Sequence, residues 1–197
     1  NVNATNMQVQ KTFAEKEQEC KDLLRSTGRD KIEDLISHIE RMGYFIAPGS
    51  LDHHRFKGGL VSHSLELFHK AMELREQYIL EGINENTMPV ESVIIAALMH
   101  DLCKADALRF SEETRKSYSI KKTHGHGARS VRQVGYSGFV LTQDEKDAIL
   151  WHMGGKRIEP DKNKRTVFFQ THPLASIINR ADGKSISEAK ARHHKKK

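Results

Sequence analysis

The segment VESVIIAALMHDLCK, residues 90–104, constrains this chain more than any other, because from Val93 to Met99 it is apolar nearly all the way round a helix. A helix of that kind is stable in water only when other elements cover every side, so it belongs in the middle of the fold. Pro89 ahead of it suits a helix first turn. The apolar run ends at His100-Asp101, so two polar side chains are carried into the interior. Charged groups are rarely buried unless they are paired or bound to a metal ion.

The remaining pattern supplies partners for that central helix. In DKIEDLISHIERMGY, Ile32, Leu35, Ile36 and Ile39 fall at i, i+3, i+4 and i+7, and Gly43 offers a stop. Upstream, residues 14–24 read as a charged helix with a thin apolar face. Residues 45–59 have loop composition and lead into LVSHSLELFHKAMELREQYIL, where Leu60, Ser64, Leu67, Ala71, Leu74 and Tyr78 share a face and His63 lies beside them. From Ala105 to Gly125 the helical pattern fails, and KSYSIKK suits a short strand or a small hairpin, a natural place for a substrate lid. Helicity resumes near Gly127 to Val134. Thr142 and Glu145 then form a capping box ahead of a helix that His152 closes. A charged loop, KRIEPDKNKR, precedes a last helix expected from Pro173 to Asp182-Gly183. The expected fold class is all-α: a helical bundle with one short irregular or β-hairpin insertion.

At 197 residues the chain fits one domain, expected over 28–186, with a charged helical segment at 1–27 and a basic tail at 187–197. The net charge of +6 only weakly favours anionic partners, because the tail ARHHKKK carries much of the excess. No stretch approaches the roughly 20 apolar residues of a membrane span, and the first residues lack the features of a secretory signal. Two cysteines, Cys20 and Cys103, are too few for a disulfide framework, and Cys103 reads as a packing residue. A cytoplasmic protein with no membrane partner is the expectation, its oligomeric state unconstrained.

His63, His100, Asp101 and Asp182 offer a mixed imidazole and carboxylate set of the kind that holds a catalytic divalent ion with positions left open for water and substrate. His126 and His152 can add ligands for a second ion or meet a substrate phosphate. His124 beside them reads as exposed. His53-His54 reads as a local hydrogen-bonding pair in a loop, Trp151 and Met153 as core packing, and His172 as a helix N-terminal residue.

GGLVSHSLEL, ALMHDLCK, GHGARSV, AILWHMGG and Ala181-Asp182, in that order, resemble the HD-domain metal-dependent phosphohydrolase superfamily, whose pattern is H…HD…D. The resemblance covers about His53 to Ser185. HDLCKAD with GHGARS and WHMGG is similar to short, stand-alone HD hydrolases of bacteria and phages. The HH-x-x-x-x-GG-x-x-x-H stretch is similar to the HD module of bacterial 3′-to-5′ exoribonucleases. The resemblance implies that His63, His100, Asp101 and Asp182 hold a first ion, with His126 and His152 at a second ion or at the scissile phosphate. WHMGG has one histidine where several two-metal members carry two, so one or two ions per chain remain open. Mixed N/O ligands accept Mn, Fe, Co, Ni, Zn or Mg.

The activity implied is hydrolysis of a nucleotide or other small phosphoester by metal-activated water. Asp101 would act as ligand and orienter of that water, while Lys104 would stabilise phosphate charge and Arg129 is a further phosphate contact. Three other readings stay open. One is a nuclease on short RNA or DNA, although no basic patch with interleaved aromatic residues is visible. The others are a non-catalytic metal- or nucleotide-binding module and a di-iron oxygenase.

Overall fold

The computed structural model describes residues 11–121 and 125–194, so His124 lies outside the described residues. The described chain runs through α1 Phe13–Ser26, α2 Ile32–Arg41, α3 Gly59–Leu80, α4 Val90–Met99, a hairpin of β1 Leu108–Ser111 and β2 Lys116–Ser119, α5 His126–Gly135, α6 Gln143–Trp151, α7 Lys162–Thr171 and α8 Pro173–His194. It is an all-α bundle with a two-stranded antiparallel insertion, paired from Leu108↔Ser119 to Ser111↔Lys116.

Every residue of α4 from Ser92 to Met99 is buried. Helices α3, α6 and α8 enclose it, with α1 and α5 completing the wall. Each Val, Ile or Leu buried there contributes roughly 1.5–3 kcal/mol, which makes this helix the anchor for its neighbours. The stripe on α2 packs as its spacing predicts, with Leu35, Ile36 and Ile39 buried. On α3 the face from Leu60 to Leu74 is buried, while Tyr78 is half-buried and its hydroxyl lies 2.7 Å from Ser176 Oγ of α8.

Both ends of the α4 region are tied by polar contacts. Glu145 is fully buried at the start of α6, yet its carboxylate accepts from Arg29 Nη1 at 2.6 Å, Ser92 Oγ at 2.8 Å and the Thr142 amide at 2.9 Å. The expected capping box therefore also joins α6 to α4 and to the α1–α2 turn. Near the other end of α4, the buried Tyr44 hydroxyl donates to the Leu98 carbonyl at 2.7 Å.

Three elements differ from expectation. The last four residues of the segment read as a charged loop open α7, which Asp161 caps by accepting from the amides of Asn163 and Lys164. Helix α8 does not stop at Asp182-Gly183 but continues to His194, taking in part of the segment expected as a basic tail. A glycine inside a helix costs only about 1 kcal/mol, less than the packing of α8 along α3 and α6 returns. Met153 is 67% exposed rather than core, because it follows the end of α6 and points away from it. Trp151 is buried as expected, stacked on Phe168 of α7 at 3.8 Å between ring centroids.

Candidate metal centre

The buried end of α4 delivers His100 and Asp101 to one point, and three other helices bring their own side chains to it. His63 comes from the second turn of α3, Asp182 from α8 and His152 from the end of α6. His63 Nε2 lies 3.2 Å from His100 Nε2 and 3.1 Å from Asp182 Oδ1. His100 Nε2 lies 3.2 Å from Asp101 Oδ2, and His152 Nε2 lies 3.5 Å from Asp101 Oδ1. All five residues are buried. Ligand atoms of His63, His100 and Asp182 fall within 4.8 Å of one another, as do those of His100, Asp101 and His152.

The protons on this cluster follow from its hydrogen bonds. His100 Nδ1 donates to the Ala97 carbonyl at 2.8 Å, and His152 Nδ1 donates to the Ile149 carbonyl at 2.7 Å. A neutral imidazole holding its proton on Nδ1 has a lone pair on Nε2. Two carboxylate oxygens, Asp101 Oδ1 and Asp182 Oδ1, are buried with no hydrogen-bond partner among the described residues. Imidazole nitrogens and anionic oxygens thus crowd together in the interior, where each unpartnered group costs roughly 1–3 kcal/mol or more. That donor set fits a divalent cation, which would satisfy all of these atoms together.

Lys104, at the end of the 3-10 turn Leu102–Lys104, places Nζ 2.6 Å from Asp101 Oδ2. Burial alone would raise the Asp101 pKa, but the Lys104 ammonium and the His100 ring outweigh it and hold the carboxyl well below its usual range. Burial would likewise depress Lys104, and the Asp101 charge instead raises it. The pair is therefore ionised. His63 is pushed down by burial despite Asp182, whereas at His100 the burial effect is overcome by Asp101 and the pKa is raised.

His126 is the first residue of α5, and its Nδ1 lies 3.5 Å from Cys103 Sγ. Helix α5 can come this close because Gly127 faces the backbone of α6: a Cβ there would sit 2.7 Å from the Ile149 carbonyl oxygen. Burial lowers the His126 pKa to about 4 and raises the Cys103 thiol to about 11. Arg129, expected as a further phosphate contact, reaches Asp106 Oδ1 at 3.3 Å.

Sequence reasoning missed an outer layer. His53 and His54 are buried in the 45–59 loop, and both rings lie against His63, with centroids at 5.3 and 5.1 Å. His53 Nδ1 is 3.0 Å from His54 Nδ1, and His54 Nε2 is 3.0 Å from Glu66 Oε2. Ser185 Oγ lies 3.1 Å from His63 Nδ1 and donates to Glu66 Oε2 at 3.3 Å. Burial would raise Glu66, but the bond from His54 and the charge of Arg192 bring its pKa down to about 2. The spacing carried a signal, since Glu66 follows His63, and Ser185 follows Asp182, at i+3 on the same helix face.

Among known protein families, the HD domain matches the chain over residues 60–187. No curated protein and no solved structure matches it.

Proposed function

Since the chain belongs to the HD-domain metal-dependent phosphohydrolase superfamily, we propose that it hydrolyses a phosphoester of a nucleotide or related small molecule with a divalent cation held by His63, His100, Asp101 and Asp182. The observation that carries this reading is the pair of buried oxygens, Asp101 Oδ1 and Asp182 Oδ1, which have no hydrogen-bond partner among the described residues and lie beside the Nε2 atoms of His152 and His63. A divalent ion there supplies a Lewis acid that makes water a competent nucleophile near neutral pH and polarises a phosphoryl oxygen.

The protein's own groups divide the remaining work. Lys104 neutralises Asp101 Oδ2 and so fixes the carboxylate plane, and Oδ1, without a hydrogen-bond partner among the described residues, would be the oxygen that helps hold a cation or orients a water. The same ammonium adds positive charge where the phosphoryl oxygens gain negative charge. His152 donates from Nδ1 to the Ile149 carbonyl, which in the neutral ring leaves the Nε2 lone pair to bind a cation or accept a hydrogen bond. His126 is the opposite case. A neutral Cys103 thiol can donate to Nδ1, which leaves Nε2–H as a donor suited to a phosphate oxygen.

The test is an assay with added Mn²⁺ on nucleoside monophosphates, cyclic nucleotides and generic phosphoesters, with short RNA and DNA beside them. Hydrolysis of the small esters is expected, lost together with metal binding in His100→Ala and Asp101→Ala. The reading falls if nothing is hydrolysed and those variants bind as much metal as the parent. Preferential cleavage of the oligonucleotides would make the protein a nuclease.

A further inference from the structure

We infer that Glu66 is a positioning residue that, acting through Ser185, fixes the proton of His63 on Nδ1 and so turns an Nε2 lone pair toward the metal centre. The tautomer stands on hydrogen bonds alone, and its use for metal binding rests on the function proposed above. A serine hydroxyl has one proton. Ser185 gives its proton to Glu66 Oε2, so at its contact with His63 Nδ1 it can only accept, and Nδ1 must carry the hydrogen. On the other side of the ring, Asp182 Oδ1 at 3.1 Å and His100 Nε2 at 3.2 Å face His63 Nε2 and are the acceptors against which this relay holds the single proton of a neutral imidazole.

The arrangement completes a pattern. His100 and His152 are set by helix carbonyls, but His63 lies within α3, where no backbone carbonyl meets its Nδ1. A carboxylate on the same helix, relayed by a hydroxyl from α8, does for His63 what the helix ends do for the other two. Ligand orientation of this kind typically changes metal affinity 10–100-fold when removed.

The same carboxylate oxygen acts in a second direction. Ionised Glu66 can only accept, so His54 Nε2 donates to it, and with that hydrogen on Nε2 the His54 Nδ1 is placed to accept the hydrogen bond from His53 Nδ1–H. His53, His54 and His63 offer ligand atoms within 4.8 Å of one another, yet both nitrogens of His54 and Nδ1 of each neighbour are committed. The three rings therefore form an orienting layer rather than an additional cation site. Arg192, whose Nη2 lies 3.1 and 3.0 Å from the two Glu66 oxygens, holds the carboxylate in place.

The experiment reads tautomers directly, by long-range ¹H–¹⁵N spectra of ¹⁵N-histidine-labelled, metal-free protein in mildly alkaline buffer. Nδ1–H is expected at His63, His100 and His152. Ser185→Ala should move the His63 proton to Nε2 and leave His54 unchanged, whereas Glu66→Leu should alter both. The His100 and His152 signals should stay in place in both variants and so report an intact fold. In parallel, Mn²⁺ titration should show affinity about 10–100-fold weaker in Ser185→Ala. The inference is overturned if His63 carries Nε2–H in the parent protein, or if neither variant moves it while His100 and His152 are unperturbed. Because the spectra need neither metal nor substrate, failure of the phosphohydrolase reading would leave the tautomer result standing.

Discussion

Lys104 Nζ lies 2.6 Å from Oδ2 of Asp101, while Oδ1 of the same carboxylate has no hydrogen-bond partner among the described residues. One oxygen is neutralised and the other is kept available, which separates the two roles a carboxylate can have beside a cation. Lys104→Met should therefore lower kcat about 100-fold, the scale of losing one electrostatic contact to the transition state. Mn²⁺ affinity should hold or rise, since a cation is removed from beside the site. Parallel titration and steady-state kinetics check this, and weakened Mn²⁺ binding would mean that the lysine only holds Asp101 in place.

Stripping divalent ions should destabilise the folded protein. The cluster sets Nε2 of His63 3.2 Å from Nε2 of His100 and holds two carboxylate oxygens with no hydrogen-bond partner among the described residues. A cation bound only by the folded state at 100 times its Kd adds about 2.7 kcal/mol, which for a chain of this size is about 5–10 °C in Tm. Thermal unfolding with chelator and with Mn²⁺ measures it. The difference should vanish in Asp182→Asn combined with His100→Ala.

Acid should destabilise the metal-free protein through the outer layer. Burial holds His53 at about 3 and His126 at about 4, against an ordinary 6.5. Between those values and 6.5 the unfolded chain binds more protons than the folded one, so stability rises with pH across that window and falls as acid is added. Glu66, held at about 2 against 4.5, adds stability that is present above 4.5 and lost as the pH falls toward 2. Urea midpoints should drop from pH 7 to pH 4.5, with a shallower slope in His53→Gln. A flat profile would contradict the burial of these rings.

Two glycine substitutions should act with opposite sign. A Cβ at Gly59 would lie 1.9 Å from the His54 carbonyl oxygen and 2.9 Å from the Gly49 amide nitrogen, which themselves bond at 2.9 Å. Gly59→Ala must push the histidine loop off α3 and should lose about 1–3 kcal/mol. At Gly183, an exposed position in α8, a Cβ meets nothing within 4 Å. Gly183→Ala should gain about 1 kcal/mol from helix propensity. Chemical denaturation of the two variants beside the parent decides both.

The central helix and its polar end were legible because burial writes itself into sequence: an all-round apolar run has one stable place, and His100-Asp101 at its end inherits that place. The capping box at Thr142 and Glu145 was legible because its chemistry is local. Helix α7 was not, since its residues are exposed or half-buried and Phe168 is held by stacking on Trp151 rather than by an amphipathic stripe. The burial of His53 and His54 depends on the close approach of Gly49 and Gly59, a tertiary contact without local periodicity. The end of α8 was misplaced because a glycine was given the weight of a stop, when helix packing outweighs so small a propensity penalty.

His100 and His152 each stand at the C-cap of their helix and donate Nδ1–H to the carbonyl three residues back. Exchanging either for a carboxylate or a thiol would change the ion preferred and would also strip a donor from a buried backbone oxygen. If both rings serve as ligands in the proposed centre, choice of cation and integrity of the helix end would be a single variable at these two positions. Retuning of metal selectivity that spares the fold would then have to be sought at Asp101, Asp182 or the layer around Glu66.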